Sequence, residues 1–79
     1  MDNTFSIGDA ARITRMPEQN LRYLEKNGYI AKPERILSGS RSFRRYTGEQ
    51  IENIIKLKIL MDQGFKLTTA VKKLKEELS

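Results

Sequence analysis

The side chains that most enzymes use for catalysis are scarce in this sequence. None of its 79 residues is a histidine or a cysteine, so the commonest general base, the thiol nucleophile and the softer metal ligands are missing. The carboxylates are scattered singly, and the chain has neither a P-loop nor a Gly-x-Gly-x-x-Gly segment. We therefore expect no enzymatic activity, no cofactor and no metal site.

Polar and cationic side chains instead cluster on one short predicted helix, which runs from about Pro17 to Asn27 and ends at Gly28. Leu21 and Leu24 form its apolar side. Spacings of three and four residues place another set on the opposite face. That set consists of Gln19, Arg22, Tyr23 and Lys26. A polar, basic outer face on the second of two closely joined helices is typical of a helix-turn-helix.

The start of this helix suits the recognition of base edges in the major groove of duplex DNA. Gln19 and Asn20 can pair bidentately with adenine, and Glu18 can accept a hydrogen bond from cytosine. A helix of ordinary diameter fits that groove, where each base pair presents a distinct pattern of donors and acceptors. We expect these three residues to read sequence.

Further along the same face, Arg22, Tyr23 and Lys26 are expected to reach the flanking phosphates, in contacts that fix position without reading sequence. Two of these residues have alternative roles. Tyr23 could pack in the core, since an aromatic ring has a large apolar surface. Arg22 could form a surface ion pair with Glu18 or Glu25, worth less than about 1 kcal/mol.

A second basic segment follows, in which residues 32–46 hold five basic residues against one acid. A Gly-centred turn at 38–40 separates two stretches with strand-forming residues. This pattern predicts a hairpin with one strand over 34–37 and the other over 41–46.

The second strand of that hairpin carries the groups that could hold DNA. We expect Arg41, Arg44 and Arg45 to straddle phosphates or to enter the adjacent minor groove. Strand alternation places Phe43 and Arg45 on one face and Arg44 and Tyr46 on the other. Tyr46 could pack against the sheet and still offer its hydroxyl to a phosphate. The alternative is a solvated hairpin whose charges are incidental.

Helix-start signals flank these two segments. Ser6 and Asp9 resemble a capping box and predict a short helix over 7–13. Thr47 and Gln50 form a second box, which begins a third helix. That helix ends at Gly64 and carries apolar residues around a wide arc, so we expect it to be central. A last amphipathic helix is predicted over 67–78.

The composition favours an anionic partner. The net charge is +5 and the isoelectric point about 9.8, which points to nucleic acid first and an anionic membrane surface second. RNA duplexes are a weaker candidate, because their major groove is too narrow for side chains to read. No apolar run approaches the ~20 residues of a membrane helix, and because charge favours nucleic acid first we expect no membrane partner.

Several segments together resemble the N-terminal domain of the MerR family of transcriptional regulators. The resemblance spans about Phe5 to Leu74, and its most specific pieces are Leu21-Arg22-Tyr23 with Glu25, then Gly28, then the basic segment that ends in Tyr46. The other matching segments are Ser6-Ile7-Gly8-Asp9-Ala10-Ala11, Thr14-Arg15-Met16, Gly28-Tyr29-Ile30, Pro33, Arg44-Arg45-Tyr46-Thr47 and Gly64-Phe65-Lys66-Leu67.

The resemblance implies a mainly α fold, a winged helix-turn-helix with four helices and the hairpin as its wing. It implies sequence-specific binding of double-stranded DNA, with the second helix in the major groove. By the same analogy Arg22, Tyr23, Arg44 and Tyr46 contact DNA. Family members bind palindromic promoters as dimers in the bacterial cytoplasm, at the nucleoid, so RNA polymerase is a further partner in a longer protein.

The sequence also departs from the family pattern. Leu24 stands where a second aromatic is usual, and Pro17 where a serine commonly precedes the second helix. We expect residues 1–79 to be a single domain without the family's dimerisation helix and effector domain, and hence a monomer in solution. Two alternatives remain: an excisionase-like architectural DNA-binding protein, and a protein-interaction module that docks through Leu60 and the leucines of the last helix.

Overall fold

The computed structural model describes residues 4–78, with side chains for residues 4–77. Within this range the chain forms four helices and a three-stranded antiparallel sheet. The expected winged helix-turn-helix is confirmed. The elements in chain order are β1 (Thr4–Phe5), α1 (Ile7–Thr14), α2 (Glu18–Lys26), β2 (Glu34–Ser38), β3 (Arg41–Thr47), α3 (Gly48–Asp62) and α4 (Leu67–Leu78).

Both predicted capping boxes begin helices. The Ser6 hydroxyl accepts a hydrogen bond from the backbone N–H of Asp9 at 3.1 Å, which caps α1. At the start of α3, the Thr47 hydroxyl accepts from the Gln50 N–H, and the Gln50 side chain accepts from the Thr47 N–H. These bonds satisfy amide groups that have no partner within the helix. By contrast, Pro17 gives α2 no side-chain cap.

A tight turn joins α1 to α2 and fixes their relative direction. Arg15 lies in the left-handed region, with φ 59°, and its backbone N–H donates to Ala11. Met16, the next residue, is buried in the core, and the Thr14 hydroxyl donates to the carbonyl of Ala10 at 2.7 Å. The turn therefore holds the apolar side of α2 against the core and leaves its polar side outside.

The sheet is larger than the predicted hairpin, because β1 adds a third strand. The strand order is β1-β3-β2, and Phe5 of β1 pairs with Tyr46 of β3. Two residues are too few to show strand periodicity, so β1 could not be predicted from the sequence pattern. The hairpin strands extend as far as Ser38 and Arg41, which leaves a two-residue turn in which Gly39 has φ 64°.

The core lies where α3 meets α1, α4 and β3. This confirms the central position of α3, although Ile59 on its outer side is half exposed. The predicted stripe of α4 is buried at Ala70, Val71 and Leu74, while Leu78 lies outside the described side chains. The remaining buried apolar residues are Ala10, Met16, Leu21, Leu24, Pro33, Tyr46, Ile51, Ile54 and Leu57. No helix within residues 4–78 is long and apolar enough to cross a bilayer.

Candidate nucleic-acid interface

The outer face of α2 stands clear of the protein. Leu21 and Leu24 are buried and anchor the helix, as their spacing predicts. Since Leu21 and Leu24 face the core, the opposite ridge of α2 faces solvent. The exposed residues are Glu18, Gln19, Asn20, Arg22, Tyr23 and Lys26, which are the six residues of this helix that the sequence selects as a DNA-binding surface.

Two of these residues had alternative roles, and the structure separates them. Tyr23 is 53% exposed, with its ring centroid 6.2 Å from that of Tyr29, so it lies on the surface and not in the core. The Arg22 guanidinium donates to Glu18 at 3.3 Å. Both side chains of that pair are about half exposed, so the pair contributes little to stability.

A buried carboxylate joins α2 to the wing, which comprises β2, β3 and the Gly39–Ser40 turn. Glu25 of α2 is only 6% exposed. Its Oε2 accepts from Nε of Arg44 at 2.7 Å, and its Oε1 accepts from Nη2 of Arg35 at 3.0 Å. Arg35 and Arg44 lie opposite each other on β2 and β3, so one carboxylate holds both strands of the wing beside α2.

The ionisation of Glu25 depends on these two partners. Burial opposes the charged form, but the hydrogen bonds and positive charges of Arg44 and Arg35 outweigh it and lower the pKa of Glu25 below its ordinary value of 4.5. The carboxylate is therefore ionised at neutral pH. It keeps the wing at a fixed distance from the exposed ridge of α2.

The space between α2 and the wing is a groove lined mainly by cations, which we call the cationic groove. Its volume is about 390 Å³. One carboxylate lines it, that of the buried Glu25. The five basic side chains that line it are those of Arg22, Lys26, Lys32, Arg35 and Arg44. Such a concentration of positive charge between two rigid elements attracts polyanions and suits backbone phosphates.

The family described as MerR HTH family regulatory protein matches residues 5–77. The chain belongs to the MerR family. The match covers the helix-turn-helix, the wing and α4, and members of the family are DNA-binding regulators of transcription that bind double-stranded DNA and are not enzymes. None of the curated proteins matches the chain significantly.

In this MerR-family domain the wing residues predicted to bind DNA do not all lie together. Arg44 lines the cationic groove. Arg41 lies at the tip of the wing, on the face that carries Ile36 and Phe43. Arg45 is on that same face, and its guanidinium donates to the hydroxyl and the carbonyl of Thr4. The structure therefore places Arg45 away from α2, as a link between β3 and β1.

Tyr46 differs most from its predicted position. Its side chain is fully buried in the core of the MerR-family domain, and its hydroxyl has no hydrogen-bond partner among the described residues. Burial, with a further contribution from the negative charge of Glu25, raises the pKa of Tyr46. The expectation that its hydroxyl reaches a phosphate does not fit this placement, because β3 turns the ring toward α3 and the core.

Three residues of the cationic groove were not selected from the sequence: Glu25, Lys32 and Arg35. Glu25 follows Leu24 directly and stands four residues after Leu21, at the border of the buried face of α2. A carboxylate at such a border requires a cationic partner, since buried charges are paired. That signal was available in the sequence. The identity of the partners was not, because it depends on how the wing folds back.

Proposed function

We propose that this chain binds duplex DNA sequence-specifically, with α2 in the major groove and the cationic groove on the adjacent phosphate backbone. The supporting observation is the link from Glu25 to Arg35 and Arg44, which sets the wing beside the exposed ridge of α2. Two elements held in this way can contact one double helix without rearrangement, and this lowers the entropic cost of binding.

The residues divide into two roles in this proposal. Glu18, Gln19 and Asn20, at the exposed start of α2, meet base edges and determine which sequence is bound. The cations of the groove and Tyr23 meet phosphates and the sugar backbone, and determine position. Arg41 at the tip of the wing extends the phosphate contacts outward. Tyr46 and Arg45 keep the wing in place and are not in the interface.

The biological role that we propose is that of the DNA-binding part of a bacterial transcriptional regulator. Two copies on a palindromic site would place two recognition helices in successive major grooves, about 34–36 Å apart along the duplex. RNA polymerase is then the partner that responds to occupancy of the promoter. A regulator of this kind acts where the chromosome lies, in the cytoplasm. Two copies arranged in this way should prefer binding sites with two-fold symmetry. Selection of bound duplexes from a random-sequence library tests this expectation.

Binding itself is tested with a labelled random-sequence duplex of about two helical turns. We expect fluorescence anisotropy to show about micromolar or weaker affinity that falls steeply with salt, because phosphate contacts release counterions. Lys26→Ala should weaken binding to every sequence and reduce the salt slope by about 1. Lys72→Ala, an exposed lysine of α4, is the matched control and should change neither. Lys26 is a cleaner probe than Arg44, because loss of Arg44 also removes a partner of Glu25.

Sequence reading is tested separately with Gln19→Ala and Asn20→Ala. These variants should keep the affinity for random duplex and change the sequences recovered by selection, because base contacts carry the sequence information. If they and Lys26→Ala act alike on every sequence, the division into readers and anchors is wrong. An affinity that changes neither with salt concentration nor with Lys26→Ala would refute the proposed interface altogether.

A further inference from the structure

The face of the wing that points away from α2 carries two large apolar side chains. Ile36 of β2 and Phe43 of β3 are cross-strand partners, and they are 47% and 46% exposed. Arg35 and Arg44, one position away on each strand, contact Glu25 of α2, and neighbouring residues of a strand point to opposite faces. Ile36 and Phe43 therefore form an apolar patch on the outer face, which the described part of the chain leaves half open to solvent.

The charges beside this patch suit a contact between two identical surfaces. Glu34 lies on the outer face two positions before Ile36, and its cross-strand partner on β3 is Arg45. When two such faces meet about a two-fold axis parallel to the strands, β2 of each copy lies over β3 of the other. Phe43 then lies over Ile36 of the second copy, and Arg45 lies over its Glu34. Apolar side chains thus meet apolar side chains, and each carboxylate meets a guanidinium.

The same axis is the one that a palindromic site requires. β3 runs from Arg41, exposed at the tip, past Arg44, which lies beside α2, to Tyr46, which is buried in the core. Since α2 buries its other side in the core, the tip of the wing points to the side on which α2 exposes its ridge. Rotation about an axis parallel to the strands keeps that direction, so both copies present α2 to the same side, as a palindrome demands.

The distance between the two copies of α2 is compatible with the spacing of major grooves. A helix with its side chains has a radius of about 5–6 Å, and packed sheets lie about 10 Å apart. With each α2 in direct contact with its own wing, the two helix axes would be about 30–32 Å apart. The cationic groove separates α2 from the wing and adds to this distance in each copy, toward the spacing of about 34–36 Å between successive major grooves.

We propose that the outer face of the wing is the surface through which two copies of this chain contact each other when both bind a palindromic site. This inference rests on the proposed DNA binding and adds cooperativity to it. A patch of two half-exposed side chains is far smaller than the roughly 800 Å² per partner of a stable protein interface. The contact therefore forms on DNA, where two half-sites hold the copies at a high effective concentration, and the free chain is a monomer.

The test compares a duplex that has two inverted half-sites, with centres about 10 base pairs apart, with a duplex that has one half-site. The half-site is taken from random-library selection with the 79-residue chain. Gel-shift titration gives the affinity of each copy, and the second copy of the wild type should bind at least about tenfold more tightly than the first. About five extra base pairs between the half-sites turn the second copy by half a helical turn and should remove this cooperativity.

Two substitutions in the apolar patch test its role. Ile36→Ser and Phe43→Ser each remove half of the patch and should reduce the cooperativity to less than about twofold. The affinity for the single half-site should stay within about twofold of the wild type, because neither residue contacts DNA in the proposed interface. Ile59→Ser is the matched control, since Ile59 is an isoleucine of α3 that is also half exposed, and it should change neither quantity. An unchanged half-site affinity also shows that each variant is folded.

Cross-linking locates the contact without altering the patch. The chain has no cysteine, so Ser38→Cys places a single thiol on the outer face, two positions after Ile36. A short bis-maleimide should join two copies of this variant on the duplex with two half-sites and not on the duplex with one. Thr69→Cys, exposed on α4, is the control and should give no cross-link on either duplex.

The outcomes separate this inference from the proposed function. If the wild type binds one half-site with the expected dependence on salt and Lys26 but binds two half-sites independently, the wing contact is refuted and DNA binding stands. Cooperativity that survives in both Ile36→Ser and Phe43→Ser, or that Ile59→Ser removes as well, also refutes the contact. A chain that binds no duplex refutes both proposals. Cooperativity lost only in the two wing variants, together with the cross-link of Ser38→Cys, supports the contact.

Discussion

Glu25→Gln is the substitution that examines the link between α2 and the wing most directly. It keeps the size of the side chain and removes its charge. Since the amide has one oxygen and an NH2 group that cannot accept, one of the hydrogen bonds from Arg44 and Arg35 is lost and the other loses its ionic character. A hydrogen bond to a charged group contributes about 1.5–3 kcal/mol, and the Arg44 side chain is only 21% exposed. The Arg35 side chain is 45% exposed, so water can replace its hydrogen bond to Glu25. That bond therefore contributes at most about 1 kcal/mol.

The expected loss in the free energy of unfolding is therefore about 1.5–4 kcal/mol. For a domain of this size that corresponds to a fall in Tm of about 6–32 °C. Urea unfolding followed by circular dichroism measures the first quantity, and a thermal scan measures the second. Glu18→Gln is the control on the same helix, because it removes only the exposed pair with Arg22 and should cost less than about 1 kcal/mol.

The pH dependence gives an independent check on the same carboxylate. The pKa of Glu25 in the folded protein lies below its ordinary value of 4.5, so its ionised form stabilises the fold above pH 4.5. That contribution is lost as the pH falls through the folded pKa. The difference in stability between wild type and Glu25→Gln should thus be constant near neutral pH and shrink on acidification below about 4.5.

Two results would refute this reasoning. The first is a Glu25→Gln variant no less stable than Glu18→Gln, which would mean that the wing is held by other contacts. The second is a stability difference that grows on acidification, since the sign of the pKa shift forbids it. A double-mutant cycle with Arg44→Gln then measures the coupling, which should be at least about 1 kcal/mol for residues in direct contact.

Three further predictions concern single residues. Tyr46→Phe removes a buried hydroxyl that has no hydrogen-bond partner among the described residues. The free energy of unfolding should stay constant or rise by about 1 kcal/mol, and DNA affinity should not change. A loss of DNA affinity would show that the Tyr46 hydroxyl contacts DNA. Thr47→Ala removes the cap of α3 and should cost about 1 kcal/mol in urea unfolding, whereas Thr69→Ala, exposed on α4, should cost almost nothing. Arg15→Gly relieves a positive φ and should stabilise the chain by up to about 1 kcal/mol in the same assay; destabilisation would show that the Arg15 side chain matters to the turn.

Local features of this fold follow from the sequence alone. The spacing of Leu21 and Leu24 against Gln19 and Arg22 sets the rotation of α2, because helical geometry fixes which residues share a face. The capping boxes set where α1 and α3 begin, because a cap satisfies amide groups within three residues of itself. The hairpin follows from strand-forming residues on both sides of a glycine. Together with the family resemblance, these features predict the exposed ridge of α2.

Only the tertiary structure determines the contacts between residues that are distant in sequence. Glu25 meets Arg35 and Arg44, which are 10 and 19 positions away, and Arg45 meets Thr4, which is 41 positions away. Periodicity carries no information about such pairs, since every arginine of the wing is an equally good partner for a carboxylate until the backbone fixes their distances. Tyr46 shows the same limit: alternation gives its face of the strand, and only the packing of α3 and α1 against β3 makes that face the core.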